Sequence, residues 1–163
     1  MYLHGLEAKP WGTKGAWMTR TYGGTGPELP SATGAPDAFA NSCVVAREAV
    51  AREQPSLIVG SSFGGAVLMQ LLLDGVWAGP SVFLAQAAIR LGVCDASGRV
   101  PDGVSAIFIH ARADDVVPFA DSQAITDNSG PRVQLWPTHG DHRLHHITQD
   151  GTLQRAIDEL LAG

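Results

Sequence analysis

The sequence predicts an α/β fold: a mostly parallel sheet with helices on both faces. Two observations carry that expectation. Apolar runs ending in Gly or small residues alternate with helix-like segments along the chain, the pattern of parallel strands joined by crossover helices. Within Pro55–Gln70 one such run, Ser56-Leu57-Ile58-Val59, passes through Gly60-Ser61-Ser62-Phe63-Gly64 straight into an apolar helix-like segment. This is G-x-S-x-G in a strand–turn–helix context.

The elements follow in chain order. Met1–Leu3 is the first strand candidate, and a weak further strand lies within Thr19–Gly23. Gly23–Pro36 is dense in Gly, Pro, Ser and Thr and reads as a loop over one edge of the sheet. Asp37–Glu53 reads as a helix: Phe39, Cys43, Val44, Ala46 and Val50 mark its apolar face, and Pro36 stands just before it. Strand Ser56–Val59 and helix Phe63–Leu73 come next, then strand Ser81–Ala85. Ile89–Asp102 reads as a loop with one helical turn. Strand Ser105–His110, helix Phe119–Asp127, strand Val133–Trp136 and helix Thr152–Ala162 complete the series. No repeat, low-complexity tract or linker interrupts it, so residues 1–163 are read as one domain.

Composition narrows the function classes. Hydrophobic residues make up 45% and charged residues 17%, which suits a packed globular chain rather than a disordered one. The formal net charge is −5 and no Lys/Arg cluster occurs, which argues against a nucleic-acid surface. Two cysteines, Cys43 and Cys94, do not suggest a disulfide framework. No signal-peptide pattern occurs, and no apolar run approaches the roughly 18 residues of a membrane span. The expected setting is the reduced cytoplasm, with no membrane partner. Oligomeric state is left open.

The chemistry concentrates around Ser62. An elbow of this kind holds the serine at the tip of a sharp turn, with Gly60 and Gly64 beside it because a Cβ there would collide with the neighbouring strand and helix. The following helix points its N-terminus, with free N–H groups and a positive dipole end, at the serine. Two further residues follow in order. Asp114 comes after the apolar run Ala106–Ile109, and His142 lies in Thr138-His139-Gly140-Asp141-His142. Serine, carboxylate and imidazole together can make an activated nucleophile.

With those residues in place, the chain resembles the α/β-hydrolase superfamily, most closely its short, lidless bacterial serine esterases. The resemblance spans nearly the whole chain and rests on Leu3-His4-Gly5-Leu6, Gly60–Gly65, His110–Pro118 and Gly140–Leu144. It implies a reduced α/β-hydrolase fold with a sheet of five or six strands, because only three residues precede His4, and no lid domain, because residues 86–104 are too few for one. It implies Ser62 as nucleophile, His142 as base and then acid, and Asp114 as the residue that orients His142. The oxyanion donors would be the backbone N–H groups of Leu6 and Phe63. The lead into the acid departs from the usual His-Gly-x-x-Asp, with Ala111 in place of Gly.

Each role has competitors. Asp115 rivals Asp114, and the spacing to Val117-Pro118 favours Asp114. His139, His145 and His146 rival His142, which the loop around Gly140 favours. His4 reads as a structural partner of the oxyanion loop rather than a second base. The cluster His139, Asp141, His142, His145 and His146 invites a metal reading, but no matching ligand group appears elsewhere, so neither metal nor cofactor is expected. Gly60–Gly65 fits neither nucleotide-binding glycine pattern. Of Trp11 and Trp17, just after the oxyanion loop, Trp11 is the candidate for lining a substrate pocket. The expected activity is cleavage of a small carboxylic ester, short-chain, through an acyl-Ser62 intermediate. Acyl transfer, thioester or amide hydrolysis by the same residues, and a non-catalytic binding protein on the same fold, are the alternatives.

Overall fold

Among the described residues, five parallel strands form one sheet in simple sequence order: β1 Tyr2–Leu3, β2 Ile58–Ser61, β3 Ser81–Leu84, β4 Ala106–Ala111 and β5 Val133–Thr138. The computed structural model describes residues 1–6, 8–31 and 36–163. Between the strands lie α1 Thr13–Tyr22, α2 Ala38–Glu53, α3 Phe63–Leu73, α4 Phe119–Asp127 and, after β5, α5 Thr152–Ala162, with a 3-10 turn at His145–Thr148. This is a reduced α/β-hydrolase architecture, with no helix or strand in residues 85–105 to form a lid.

The strand pleat sorts side chains into two cores. Ile58, Phe83, Ala106 and Phe108 point to one face, where they pack with α2, α3 and Ile125 of α4. Val59, Val82, Leu84, Ile107 and Ile109 point to the other, against Met18 of α1 and Leu153, Ala156 and Ile157 of α5. That alternation is the period-2 geometry of a strand buried on both sides. The register pairs Phe83 with Phe108, and their rings stack with centroids 4.3 Å apart.

Most elements stand where the sequence places them, and helices Phe63–Leu73, Phe119–Asp127 and Thr152–Ala162 coincide with their expected limits. Three corrections have physical causes. The weak strand in Thr19–Gly23 is instead the end of helix α1, which runs from Thr13 to Tyr22. Its Thr, Gly and Tyr residues favour strand or turn. Packing overrides them: Met18 is buried, and the rings of Trp17 and Tyr22 meet edge to face at 5.8 Å. The place of a sixth strand beside β1 is taken by irregular chain, from which Thr25 O accepts the N–H of Tyr2 at 2.8 Å.

The apolar face of α2 is the second correction. Val44 is exposed, and Ala49 takes its place in the buried row with Cys43, Ala46 and Val50. Val44 lies one residue, about 100°, around the helix from Cys43, outside that stripe. Third, β5 continues through Pro137 to Thr138. Pro137 pairs with His110 at the sheet edge, where a missing N–H costs no interior ladder bond. The expected loop at Gly23–Pro36 is irregular over its described residues, and 32–35 lie outside them. None of the described helices is long and apolar enough to cross a membrane.

Candidate active site

Leu6, Ser62, Phe63, Asp114 and His142 stand at the carboxyl ends of parallel strands, where open α/β sheets bind ligands. Gly5 and Leu6 follow β1, Ser62 follows β2, Asp114 follows β4 and His142 follows β5.

Ser62 has φ 51° and ψ −110°, a conformation that side chains rarely adopt. The turn is that tight because strand and helix nearly touch. A Cβ on Gly60 would lie 2.6 Å from Gly64 O, and one on Gly64 would lie 2.2 Å from Leu3 O. Ser62 is held from both sides: its N–H donates to Leu84 O at 2.8 Å, and its carbonyl accepts the N–H of Ala66 and of Ala87, each at 3.1 Å.

From Ser62 a chain of hydrogen bonds runs inward. The Ser62 hydroxyl donates to His142 Nε2 at 2.9 Å, and His142 Nδ1–H donates to Asp114 Oδ2 at 2.8 Å. The Asp114 side chain is fully buried, while that of His142 keeps 16% exposure toward solvent. Burial alone would push the Asp114 carboxyl up. The N–H groups of Val117 and Val116, which donate to Oδ1 at 2.8 and 2.9 Å, and the hydrogen bond from His142 outweigh it and hold Asp114 below the usual carboxylate range. Asp114 is therefore ionised at neutral pH and keeps His142 in the tautomer that presents a bare Nε2 to Ser62. Asp115 is exposed and takes no part in this chain.

The remaining imidazoles are engaged elsewhere. His4 is fully buried, and burial lowers its pKa. Its Nδ1–H donates to Gly5 O at 2.9 Å, and its Nε2 accepts the N–H of Leu29 at 2.8 Å. It braces the loop that carries Leu6. His139 and His146 stack on one another at 4.2 Å, and His146 also bonds Thr138 Oγ1 at 2.9 Å. Among the described residues no three His, Cys, Asp or Glu side chains form a metal-ligand group.

A cleft of about 590 Å³ opens over Ser62 and His142, lined by Gly5, Leu6, Lys9, Lys14, Val116 and Arg143 among others. Phe63 is the first residue of α3, so its N–H is one of those a helix leaves without an intrahelical acceptor. Leu6 lines the cleft over Ser62 and His142. Trp11 does not line it. That ring is 65% exposed and belongs to a neighbouring groove with Pro10, Arg20 and Glu28, while Trp17 packs against the second core. One group near the cleft carries no motif signal: Lys14, which donates from α1 to the carbonyl of Arg143. His110, the first residue of the His-x-x-x-Asp lead into the acid, stands behind Asp114, and the motif does not show what its ring bonds.

Solved structures share this architecture. Alpha/beta hydrolase domain-containing protein 10 from mouse superposes with a TM-score of 0.79 at 15% identity, over 99% of this chain and 88% of that one. A hydrolase of the alpha/beta superfamily from Xanthomonas campestris pv. campestris gives 0.75 at 22% identity, over 99% and 96%. An esterase from Exiguobacterium antarcticum gives 0.71 at 12% identity, over 99% and 91%. No protein-family model and no curated protein matches the sequence. The chain has the α/β-hydrolase fold, and these identities speak to the fold alone.

Proposed function

We propose that this protein is a serine hydrolase that cleaves a carboxylic ester through an acyl-Ser62 intermediate. The observation that carries the reading is the continuous Ser62–His142–Asp114 hydrogen-bond chain, 2.9 and 2.8 Å, opening into a cleft from a strained serine.

In the first half-reaction His142 Nε2 takes the Ser62 proton as Oγ attacks the ester carbonyl. The imidazolium that forms is stabilised by ionised Asp114. The N–H groups of Phe63 and Leu6 stabilise the oxyanion, each contributing through the backbone. His142 then returns the proton to the departing alcohol, leaving acyl-Ser62. A water, deprotonated by His142, attacks the acyl carbon, and the proton passes back to Ser62 as the acid leaves. An uncovered cleft gives a long acyl chain little apolar wall to bury against, so short-chain esters are the proposed substrates.

A fluorophosphonate serine-hydrolase probe tests the reading. Wild-type protein labels and Ser62→Ala does not, and acetyl or butyryl esters are hydrolysed faster than dodecanoyl esters. Folded wild-type protein that fails to label overturns the proposal. A preference for long chains overturns its substrate class.

A further inference from the structure

Behind Asp114 lies a second run of hydrogen bonds that the mechanism above does not use. We propose that Gln86, Ser122 and His110 form a buried positioning chain that presents His110 Nε2–H to Asp114 and so sets how strongly Asp114 holds His142. The inference rests on the hydrolase reading for its kinetic consequence, but not for its geometry.

The direction of every bond in this chain is forced. The backbone N–H of Ala88 can only donate, and it meets Gln86 Oε1 at 2.6 Å. The other end of that amide is therefore NH₂, and it donates to Ser122 Oγ at 3.1 Å. Ser122 keeps its own proton for His110 Nδ1, 2.8 Å away. The far side of the ring gives the same answer. His110 Nε2 faces Asp114 Oδ2 and Val117 O, each at 3.0 Å, and two oxygen acceptors require a hydrogen between them and the nitrogen.

Gln86, Ser122 and His110 are each at most 1% exposed, so no water competes for these bonds. Burial lowers the His110 pKa and keeps the ring neutral at physiological pH. The titratable groups facing it are Asp114 and His142, from the loops after β4 and β5, and Asp121 from α4.

The chain also closes on the nucleophile. Ala87, between Gln86 and Ala88, donates its N–H to the carbonyl of Ser62. A ring of contacts thus runs from Ser62 through His142, Asp114, His110, Ser122 and Gln86 back to the Ser62 backbone. Within it, Asp114 Oδ2 is shared between two imidazole donors. A donor that draws on this oxygen weakens its hold on the His142 imidazolium. Loss of the His110 bond therefore tightens the His142–Asp114 hydrogen bond while leaving Asp114 less well oriented.

Imidazole-selective 1H–15N spectra of the six histidines at neutral pH give the tautomers and the Nδ1–H signal of His142 directly. In wild type His110 is expected as the Nε2–H tautomer. The His142 Nδ1–H signal, which moves downfield as its bond to Asp114 tightens, is expected to move downfield in His110→Leu and, by less, in Ser122→Ala. It stays near wild type in His110→Gln, whose side-chain amide still donates to Asp114, and moves upfield in Asp114→Asn. On an acetyl ester, kcat should fall about 10-fold in His110→Leu with KM unchanged, and His110→Gln should restore most of it. If His110→Leu does not fold, Ser122→Ala carries the comparison, because it removes a single hydroxyl. An Nδ1–H tautomer at His110, or a His142 Nδ1–H signal unmoved in both Leu and Ala variants, overturns the chain. A wild type that cleaves no ester overturns the hydrolase reading instead, while the spectra still decide this one.

Discussion

Lys14, in the first turn of α1, donates its Nζ hydrogen bond to the backbone carbonyl of Arg143, the residue after His142. The contact spans 129 residues of sequence and ties the loop that carries His142 to the helix that follows the Leu6 loop. Burial is the larger influence on this lysine and pulls its pKa from 10.5 down to about 8, against the opposing pull of Asp141.

Lys14→Met is expected to free that loop and lower kcat about 10-fold, since small displacements of a reacting group are costly. The pH dependence of stability supplies a second readout. A lysine whose folded pKa is depressed binds fewer protons folded than unfolded between pH 8 and 10.5. Wild type therefore gains stability from this group as pH rises through that window. The gain should be absent in Lys14→Met, as urea unfolding of both proteins at pH 7.5 and 10 would reveal. A parallel pH response in the two proteins would mean that Lys14 is not buried as described.

Ser62 sits in strained backbone. At φ 51° a side chain is disfavoured and glycine is not. Ser62→Gly and Ser62→Ala should both be inactive, yet the glycine variant should unfold about 1 kcal/mol later than the alanine variant in urea. Equal stability would place Ser62 in relaxed backbone.

Leu6 tests the oxyanion assignment without disturbing the core, because its side chain is 47% exposed. Leu6→Ala should keep activity within about 2-fold, while Leu6→Pro removes the N–H and should lower kcat by about 100-fold. Equal rates in the two variants would remove Leu6 from the oxyanion site. Phe63 is a poorer probe, since its ring is buried and meets Phe39 edge to face at 5.9 Å.

Gly60 is required by close approach, not by its own φ. A methyl there would lie 2.6 Å from Gly64 O, a backbone atom that cannot swing aside. Gly60→Ala is expected to cost about 3 kcal/mol in chemical denaturation. A loss below a few tenths would mean that the elbow can open.

The sequence determined a great deal by itself, and the reason is that its signals are local. A strand buried on both faces is a short apolar run, and an elbow is a serine between glycines spaced for the approach of one strand and one helix. Hence β2, α3 and the Ser62 turn were legible within Pro55–Gln70, and Asp114 and His142 stood out in the order the resemblance requires. What only the tertiary structure decided depends on residues far apart in the chain. Helix α1 carries three Thr, a Gly and a Tyr that favour strand or turn, and the core that receives Met18 and Trp17 is made elsewhere. Trp11, adjacent in sequence to the Leu6 loop, turns into a different groove. The bonds that join Gln86 and Ser122 to His110, and the Lys14 contact, have no spacing signature, although His110 itself opens the lead into Asp114. Each side chain finds its partner only after parallel strands have brought their carboxyl ends together, and a buried polar group there must be satisfied by whatever donor or acceptor lies within 3 Å or so.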